Sequence, residues 1–112
     1  MLETLYTFAF THRNLGLDQV GLLHIDSEQQ KSRLTVVKEV FGCSELMFLS
    51  TCNRVEFTIV SECNIPVEGF IKTLYPEINH EDQLNLASKV DLYVHEDAVK
   101  HLLYVASSID SM

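Results

Sequence analysis

The chain has 112 residues, enough for one domain with one substantial core. Hydrophobic residues make up 46% and charged residues 21%, which is typical of a folded globular domain and excludes a disordered or fibrous chain. The formal net charge is -8, so the domain as a whole repels phosphate backbones, and any nucleic-acid partner must be held locally or by another domain.

The cysteines and histidines do not form a metal-site pattern. The chain has three cysteines, at Cys43, Cys52 and Cys63. Their odd number and the lack of a CxxC pair argue against a disulfide framework and a cysteine-rich zinc site, and at least one thiol must be free. No ligand spacing relates His24, His80 and His95 to one another or to the cysteines, so we expect no metal.

Membrane insertion and secretion are not expected from the sequence. No apolar run approaches the roughly 20 residues that a membrane-spanning helix needs. The N-terminal segment MLETLYTFAF carries Glu3 early and has no basic leader. The sequence therefore predicts a cytoplasmic domain that does not enter a membrane.

The first predicted element is a strand. Residues 4–10, TLYTFAF, are rich in aromatic and β-favouring residues, and polar residues follow, so the strand is expected to end near His12. Residues 13–26 are expected to be loop with one short helix around residues 17–23. This region therefore contributes one strand and a mostly irregular connection.

Residues 27–42 predict the clearest helix of the first half. Ser27 with Gln30 three residues later has a capping-box pattern, and Gly42 is a C-terminal stop. The apolar stripe is expected to comprise Leu34, Val36, Val37, Val40 and Phe41.

Two strands are predicted next, at residues 44–50 and 55–61. In the second strand Val55, Phe57 and Ile59 share one face, with Glu56 and Thr58 on the other. A polar loop joins the two strands, which are therefore expected to form a hairpin.

The second half completes the predicted fold. Residues 65–76 predict a helix, residues 77–88 are weakly helical or loop, residues 89–95 predict a strand and residues 96–110 a last helix. The apolar stripe of the last helix is expected to be Ala98, Leu102, Val105, Ala106 and Ile109. The order β-α-β-β-α-β predicts an α+β, ferredoxin-like split βαβ: an antiparallel sheet with helices on one face, plus a C-terminal helix.

The segment LSTCNRVEF, residues 49–57, places Cys52 in the polar loop between two predicted strands. One interpretation is a buried structural thiol, since free cysteines are usually buried. The other is a nucleophile, because a thiol at the ends of two strands can reach a substrate and Arg54 can stabilise its thiolate. Cys43 and Cys63 lack such neighbours and are expected to be structural, with Cys63 either buried or just exposed.

Arg54 and His101 each have a structural and a functional interpretation. Arg54 is either a hairpin charge paired with Glu45 or Glu56, or a fork that binds the carboxylate of a small acidic substrate. His101, four residues after Asp97, is either a half-buried partner of that carboxylate or a proton donor or acceptor for the reactive thiol.

Weaker candidates lie near the two ends of the chain. His12 is either a loop residue or part of an active-site wall. Residues 106–112, ASSIDSM, place Ser111 at a helix end, which simple helix termination also explains. No capping glycine or polar tail follows, so the chain is expected to be a piece of a longer protein.

Two of these segments resemble motifs of glutamyl-tRNA reductase. LSTCNRVEF resembles the family's catalytic-cysteine signature, and AVKHLLYVASSIDSM resembles its HLFRVASGLDSM segment. FAFTHRN sits where the family has GINHKTAPV, so the resemblance spans residues 8–112. It implies that residues 1–112 are the catalytic N-terminal domain, with the NADPH-binding and dimerisation domains absent from this chain.

The resemblance implies an NADPH-dependent oxidoreductase. In this family the cysteine thiolate attacks the ester that joins glutamate to its tRNA, which gives an enzyme thioester and free tRNA. Hydride from NADPH then releases glutamate-1-semialdehyde, the precursor of 5-aminolevulinate and tetrapyrroles. The implied partners are the aminoacyl end of glutamyl-tRNA, a second copy in a full-length homodimer and a downstream aminomutase.

The resemblance also implies roles for particular residues. Cys52 is the expected nucleophile, and His101 the general acid/base or substrate-positioning residue. The expected substrate-binding residues are His12, Thr51, Asn53, Arg54 and Ser111. No residue of this chain is expected to bind the cofactor, and the chemistry needs no metal, because an aminoacyl ester is already activated.

The sequence departs from the family pattern in two places. Residues 12–17 replace the family's HKTAPV, and Ser108 replaces the glycine of ASGLDS. A rival interpretation is a non-catalytic ferredoxin-like module that binds a small ligand or a protein, with Cys52 inert. A general cysteine hydrolase is a third, but it lacks a recognisable orienting Asn or Asp partner.

Overall fold

The structure, a computed structural model, describes the backbone of residues 3–110 and the side chains of residues 3–105. Within this part the chain forms four strands and five helices. In chain order they are β1 (Thr4–Thr11), α1 (Leu17–Gly21), α2 (Ser27–Phe41), β2 (Cys43–Ser50), β3 (Arg54–Ser61), α3 (Val67–Leu74), α4 (His80–Ser88), β4 (Asp91–Val94) and α5 (Glu96–Asp110).

The strands form one antiparallel sheet in the spatial order β2-β3-β1-β4. The β1–β2 connection crosses over β3, and the β3–β4 connection crosses over β1, so each crossover skips one strand. That arrangement is the split βαβ. The predicted α+β ferredoxin-like class is therefore confirmed.

Aromatic rings fill the core between the sheet and helices α2 and α3. Phe8 and Phe57 are partners in the β1–β3 register, and Phe70 of α3 packs on both. The Phe70 ring centroid is 5.2 Å from that of Phe8 and 4.9 Å from that of Phe57, with the rings nearly perpendicular. Edge-to-face packing of this kind fixes the height and rotation of α3 above the sheet.

Helix α5 covers the opposite face of the sheet. Glu56 alternates with Phe57 along β3 and is 4% exposed, and its register partner Ala9 is fully buried. Ala98 and Val105 of α5 are also buried, whereas Ala106 and Ile109 of the predicted stripe lie outside the described side chains. Both faces of the central strands are therefore covered. Polar side chains that lie beneath α5, such as Glu56, are consequently buried.

Helix α2 ends as predicted but does not begin as predicted. Gly42 adopts the left-handed conformation, with φ 67°, directly after the helix. At the other end Asp26 occupies the N-cap without a side-chain hydrogen bond, so the predicted capping box is wrong. Val36 and Val40 are 49% and 60% exposed, so the buried stripe is narrower than expected.

The segment after α3 is more regular than the sequence indicated. Residues 80–88 form helix α4, whose start is capped because Asn79 Oδ1 accepts a hydrogen bond from the Asp82 backbone N–H at 2.8 Å. Strand β4 is shorter than predicted, with His95 following it at a φ of 52°. None of the helices in the described part of the chain has the length and apolarity needed to cross a membrane.

Candidate active site

The loop between β2 and β3 presents Cys52 to solvent. The Thr51 backbone N–H donates to the Arg54 carbonyl at 2.9 Å, and the Asn53 N–H donates to Thr51 Oγ1 at 3.3 Å. The Cys52 side chain is exposed, and its Sγ lies 3.7 Å from Asn53 Oδ1. The interpretation of Cys52 as a buried thiol is therefore wrong, whereas Cys43 is buried in the core.

The end of β1 supports this loop from the side. The His12 backbone N–H donates to the Asn53 carbonyl at 3.0 Å, and Thr11 is the register partner of Arg54. These contacts continue the β1–β3 ladder past the end of both strands. The hairpin tip is thus attached to the central strand of the sheet.

Below the tip, the buried carboxylate of Glu56 contacts two predicted functional side chains, Arg54 and His101. Glu56 Oε2 accepts a hydrogen bond from Arg54 Nη1 at 2.8 Å, and Glu56 Oε1 lies 2.6 Å from His101 Nε2. The side chains are 5% exposed for Glu56, 12% for His101 and 28% for Arg54. Each carboxylate oxygen therefore serves one partner, and Arg54 keeps other N–H groups for a ligand.

His101 is fixed by a second contact. Its ring stacks on Tyr93 of β4, with centroids 4.0 Å apart and planes 10° apart. The contact with Glu56 fixes the position of Nε2, so Nδ1 is the ring nitrogen that Glu56 does not contact. The expected pairing of His101 with Asp97 is not what holds this ring; Glu56 and Tyr93 hold it instead.

Arg54 and His101 line a pocket of about 380 Å³ on the α5 face of the sheet. Its other lining residues are Thr11, His12, Arg13, Tyr93 and Tyr104. Thr11 is 4% exposed, and its Oγ1 has no hydrogen-bond partner among the described residues. A pocket that combines arginines and histidines is suited to a small anionic ligand.

Cys52 lines a different pocket, of about 410 Å³, on the face that carries α1 and α2. Its other lining residues are Val20, Gly21, His24, Gln30, Ser50 and Thr51. The hairpin tip therefore stands between two pockets, with Cys52 at one and Arg54 at the other.

The predicted site residues are thus partly brought together. His12, Arg54 and His101 share one pocket, while Cys52 and Thr51 share the other. Within the described side chains, no hydrogen bond links Cys52 to His101. Asn53 shapes the loop between the pockets, and Ser111 lies outside the described residues. The individual roles stay predictions.

The predicted pairing of Arg54 with Glu56 is confirmed, but sequence reasoning missed the burial of Glu56 and its contact with His101. The alternation along β3 placed it on the face opposite Phe57, where an exposed charge was the simple expectation. The available signal was its position two residues after Arg54, on the same face of the strand. What the pattern did not reveal is that α5 would cover that face and bring His101 to the same carboxylate.

The chain contains neither a metal cluster among its described residues nor a nucleotide-binding turn in its sequence. No group of three or more His, Cys, Asp or Glu side chains in the described part is arranged to hold a metal ion. The chain has four glycines, and none of them forms the GxGxxG pattern with which a dinucleotide site cradles its phosphates. The sequence therefore lacks this phosphate-binding pattern.

Known proteins resemble this chain over nearly its whole length. The glutamyl-tRNA reductase of Campylobacter lari is 36% identical over 109 residues, which are 96% of this chain and 25% of that protein. The glutamyl-tRNA reductase of Desulfatibacillum aliphaticivorans is 31% identical over 103 residues, which are 90% of this chain and 23% of that protein. The chain spans about a quarter of the length of these relatives.

A solved structure shares the fold. The glutamyl-tRNA reductase from Methanopyrus kandleri matches with a TM-score of 0.64 and 24% sequence identity, over 96% of this chain and 23% of that one. The family model for the glutamyl-tRNA(Glu) reductase N-terminal domain matches residues 8–112. The chain therefore belongs to the family of glutamyl-tRNA reductase N-terminal domains.

Proposed function

We propose that residues 1–112 form the acyl-accepting domain of a glutamyl-tRNA reductase. The observation that carries the proposal is the exposed Cys52 at a hairpin tip, two residues from Arg54, in a chain that belongs to this family. The substrate is glutamyl-tRNA. The rival, a non-catalytic binding module, gives no reason for an exposed thiol between two pockets.

The proposed reaction is a transfer of the glutamyl group to sulfur. The Cys52 thiolate attacks the carbonyl carbon of the ester, and an S–C bond forms. The bond from that carbon to the ribose oxygen breaks, and the proton that left the thiol ends on this oxygen. Because the ester is already activated, a positioned thiolate and a binding site for glutamate account for the step.

Arg54 is proposed to select glutamate by its side-chain carboxylate. Glu56 orients the guanidinium through Nη1, so the remaining N–H groups present a fixed fork to the pocket. Thr11 lines the same pocket, with its hydroxyl oxygen buried. A glutamine ester would present a neutral amide instead of a carboxylate to the remaining N–H groups of Arg54, which makes its binding weaker.

His101 is proposed to act on the substrate in this pocket, as a general acid/base or a positioning group. Glu56 and Tyr93 hold its ring beside Arg54, on the opposite side of the hairpin tip from the pocket that Cys52 lines. This placement favours a hydrogen bond to the glutamate moiety. Thr51, Asn53, His12 and Ser111 retain their proposed substrate-binding roles.

The reduction is proposed to belong to other parts of the whole protein. Because the sequence has no GxGxxG pattern, we assign the dinucleotide-binding turn for NADPH to a separate domain, and the thioester is the last species that this domain is proposed to make alone. We further propose a homodimeric whole protein in the cytoplasm, whose product, glutamate-1-semialdehyde, passes to an aminomutase for tetrapyrrole synthesis. The three unpaired thiols are consistent with a reducing compartment.

The test is the rate at which the 112-residue chain releases free tRNA from glutamyl-tRNA, since water slowly hydrolyses the thioester and frees the thiol. Cys52→Ala is expected to abolish release above the buffer rate, while Cys63→Ala, which removes another exposed thiol, leaves it unchanged. Equal release by wild type and Cys52→Ala would contradict the proposed function.

A second comparison tests the substrate assignment. Arg54→Met is expected to lower the preference for glutamyl-tRNA over glutaminyl-tRNA by about tenfold to a hundredfold, because a charge-assisted hydrogen bond is lost. Lys72→Met removes a positive charge from the exposed side of α3 and is the matched control. An unchanged preference in Arg54→Met would contradict the role given to Arg54.

A further inference from the structure

We propose that the pocket lined by Cys52 binds the terminal nucleoside of the tRNA, the ribose and base that leave when the thioester forms. This inference rests on the proposed function and adds the place of the leaving group. The name nucleoside pocket is used below for the cavity formed by Val20, Gly21, His24, Gln30, Ser50, Thr51 and Cys52.

The chemistry requires the leaving group to lie beside the sulfur. The carbon that Sγ attacks is bonded directly to the ribose oxygen, so the ribose lies within a few bond lengths of Cys52 when the S–C bond forms and the C–O bond breaks. The glutamyl side chain extends from the same carbon in another direction. A nucleophile with one pocket on each side therefore has room for both halves of the ester.

The charged residues that line each pocket indicate which half of the ester, the glutamyl group or the nucleoside, that pocket binds. Arg13 and Arg54 line the pocket on the α5 face; each is paired with one carboxylate of the chain, and their remaining N–H groups suit the carboxylate of a ligand. The nucleoside pocket contains no arginine or lysine, and its His24 lies 3.5 Å from the carboxylate of Asp26. Its lining is thus suited to a neutral, polar group such as a ribose and a base rather than to an anion.

The hydrogen-bonding groups of the nucleoside pocket match a nucleoside. Gln30 Nε2 donates to the Ile25 carbonyl at 3.0 Å, so its Oε1 remains as an acceptor for a ribose hydroxyl or an exocyclic amino group. The hydroxyls of Ser50 and Thr51 can donate or accept. Val20 contributes an apolar surface against which a base can pack.

The walls of this pocket are held in place. The Tyr75 hydroxyl donates to the Leu23 carbonyl at 2.6 Å, which ties the segment between α1 and α2 to the core. Gln30 ties the same segment to α2 through Ile25. The volume of about 410 Å³ falls within the roughly 300–1,000 Å³ of ordinary ligand pockets. The cavity is therefore preformed.

Gly21 lines the nucleoside pocket and is the position at which a bulky side chain is tested. A Cβ placed on Gly21 meets no atom within 4 Å, and the residue is exposed, so a larger side chain enters open space. Leu22 is also exposed and does not line the pocket, so Leu22→Phe is the matched control for Gly21→Phe. Gln30→Met is a second variant, which removes the carbonyl acceptor.

The experiment compares two acyl donors on the 112-residue chain: glutamyl-tRNA, and the α-ethyl thioester of glutamate, which has no nucleoside. Mass spectrometry measures the rate of adduct formation on Cys52 with each donor. Gly21→Phe is expected to lower the ratio of the tRNA rate to the small-thioester rate by about tenfold, and Gln30→Met by about threefold to tenfold. Leu22→Phe is expected to leave the ratio unchanged.

An unchanged ratio in Gly21→Phe and Gln30→Met overturns the proposal, as does an equal fall with both donors. In either case a wild-type chain that still acylates Cys52 keeps the proposed function intact. A wild-type chain that forms no adduct with either donor overturns the proposed function and the nucleoside pocket together. The small-thioester rate also reports whether each variant is folded.

Discussion

Replacement of Glu56 by glutamine tests the buried network under α5. The change removes the charge that Arg54 and His101 share but keeps the size of the side chain. In the wild-type chain Glu56 Oε2 accepts from Arg54 at 2.8 Å, and Oε1 lies 2.6 Å from His101 Nε2. An amide offers one oxygen and one NH₂ group, so one of the two partners loses its acceptor.

The expected cost follows from the burial of the three side chains. A net hydrogen bond to a charged group contributes about 1.5–3 kcal/mol to the free energy of unfolding. Arg54 is 28% exposed, so water partly replaces its lost partner, and the cost stays below the roughly 3–5 kcal/mol of breaking a fully buried pair. At about 4 °C per kcal/mol, Glu56→Gln is expected to lower Tm by about 6–12 °C.

The assay is urea and thermal unfolding followed by circular dichroism. Glu45→Gln is the matched control, because Glu45 lies on the neighbouring strand with its side chain exposed. Its free energy of unfolding is expected to change by no more than about 0.5 kcal/mol. If Glu56→Gln and Glu45→Gln unfold at the same urea concentration, the reasoning about the network is refuted.

Three further predictions concern the core and the end of α2. Burial raises the pKa of the Cys43 thiol, so at neutral pH iodoacetamide should alkylate it more slowly than the exposed Cys63, as measured by peptide mass spectrometry. Burial also raises the pKa of Tyr6 to about 12, so the free energy of unfolding should fall between about pH 10 and 12, and less steeply in Tyr6→Phe. Gly42→Ala forces a Cβ into a backbone with φ 67° and should cost about 1–2 kcal/mol in urea unfolding.

Each of these predictions has a contradicting result. Alkylation of Cys43 as fast as that of Cys63 would show that burial does not suppress its thiolate. A pH profile for Tyr6→Phe that parallels the wild type would remove Tyr6 as a cause of alkaline unfolding. For Gly42→Ala the control is Gly21→Ala, which also enters open space but without positive φ, and an equal effect of both changes would rule out backbone strain.

Elements with local signals could be predicted from the sequence. The alternation of Val55, Phe57 and Ile59 identified β3 and its core face, and Gly42 marked the end of α2 because glycine adopts positive φ at low cost. The capping box failed although its residue pattern was present. Asp26 took the N-cap position, which moved Ser27 into the helix.

Long-range packing explains what could not be predicted. The closeness of Cys52, Arg54 and His12 could be predicted from the sequence, since all three lie at the ends of adjacent strands. The contact between Glu56 and His101 joins residues 45 positions apart and depends on α5 crossing the back of the sheet. No local pattern encodes that crossing, so the buried carboxylate and the separation of the two pockets required the structure.

The central claim is that Cys52 accepts the glutamyl group. The most direct measurement is mass spectrometry of the chain after incubation with glutamyl-tRNA and acid quenching, followed by peptide mapping. The account predicts a mass increase of one glutamyl group on the peptide that contains Cys52, present in Cys63→Ala and missing from Cys52→Ala. An adduct that persists in Cys52→Ala, or none in the wild-type chain, would contradict it.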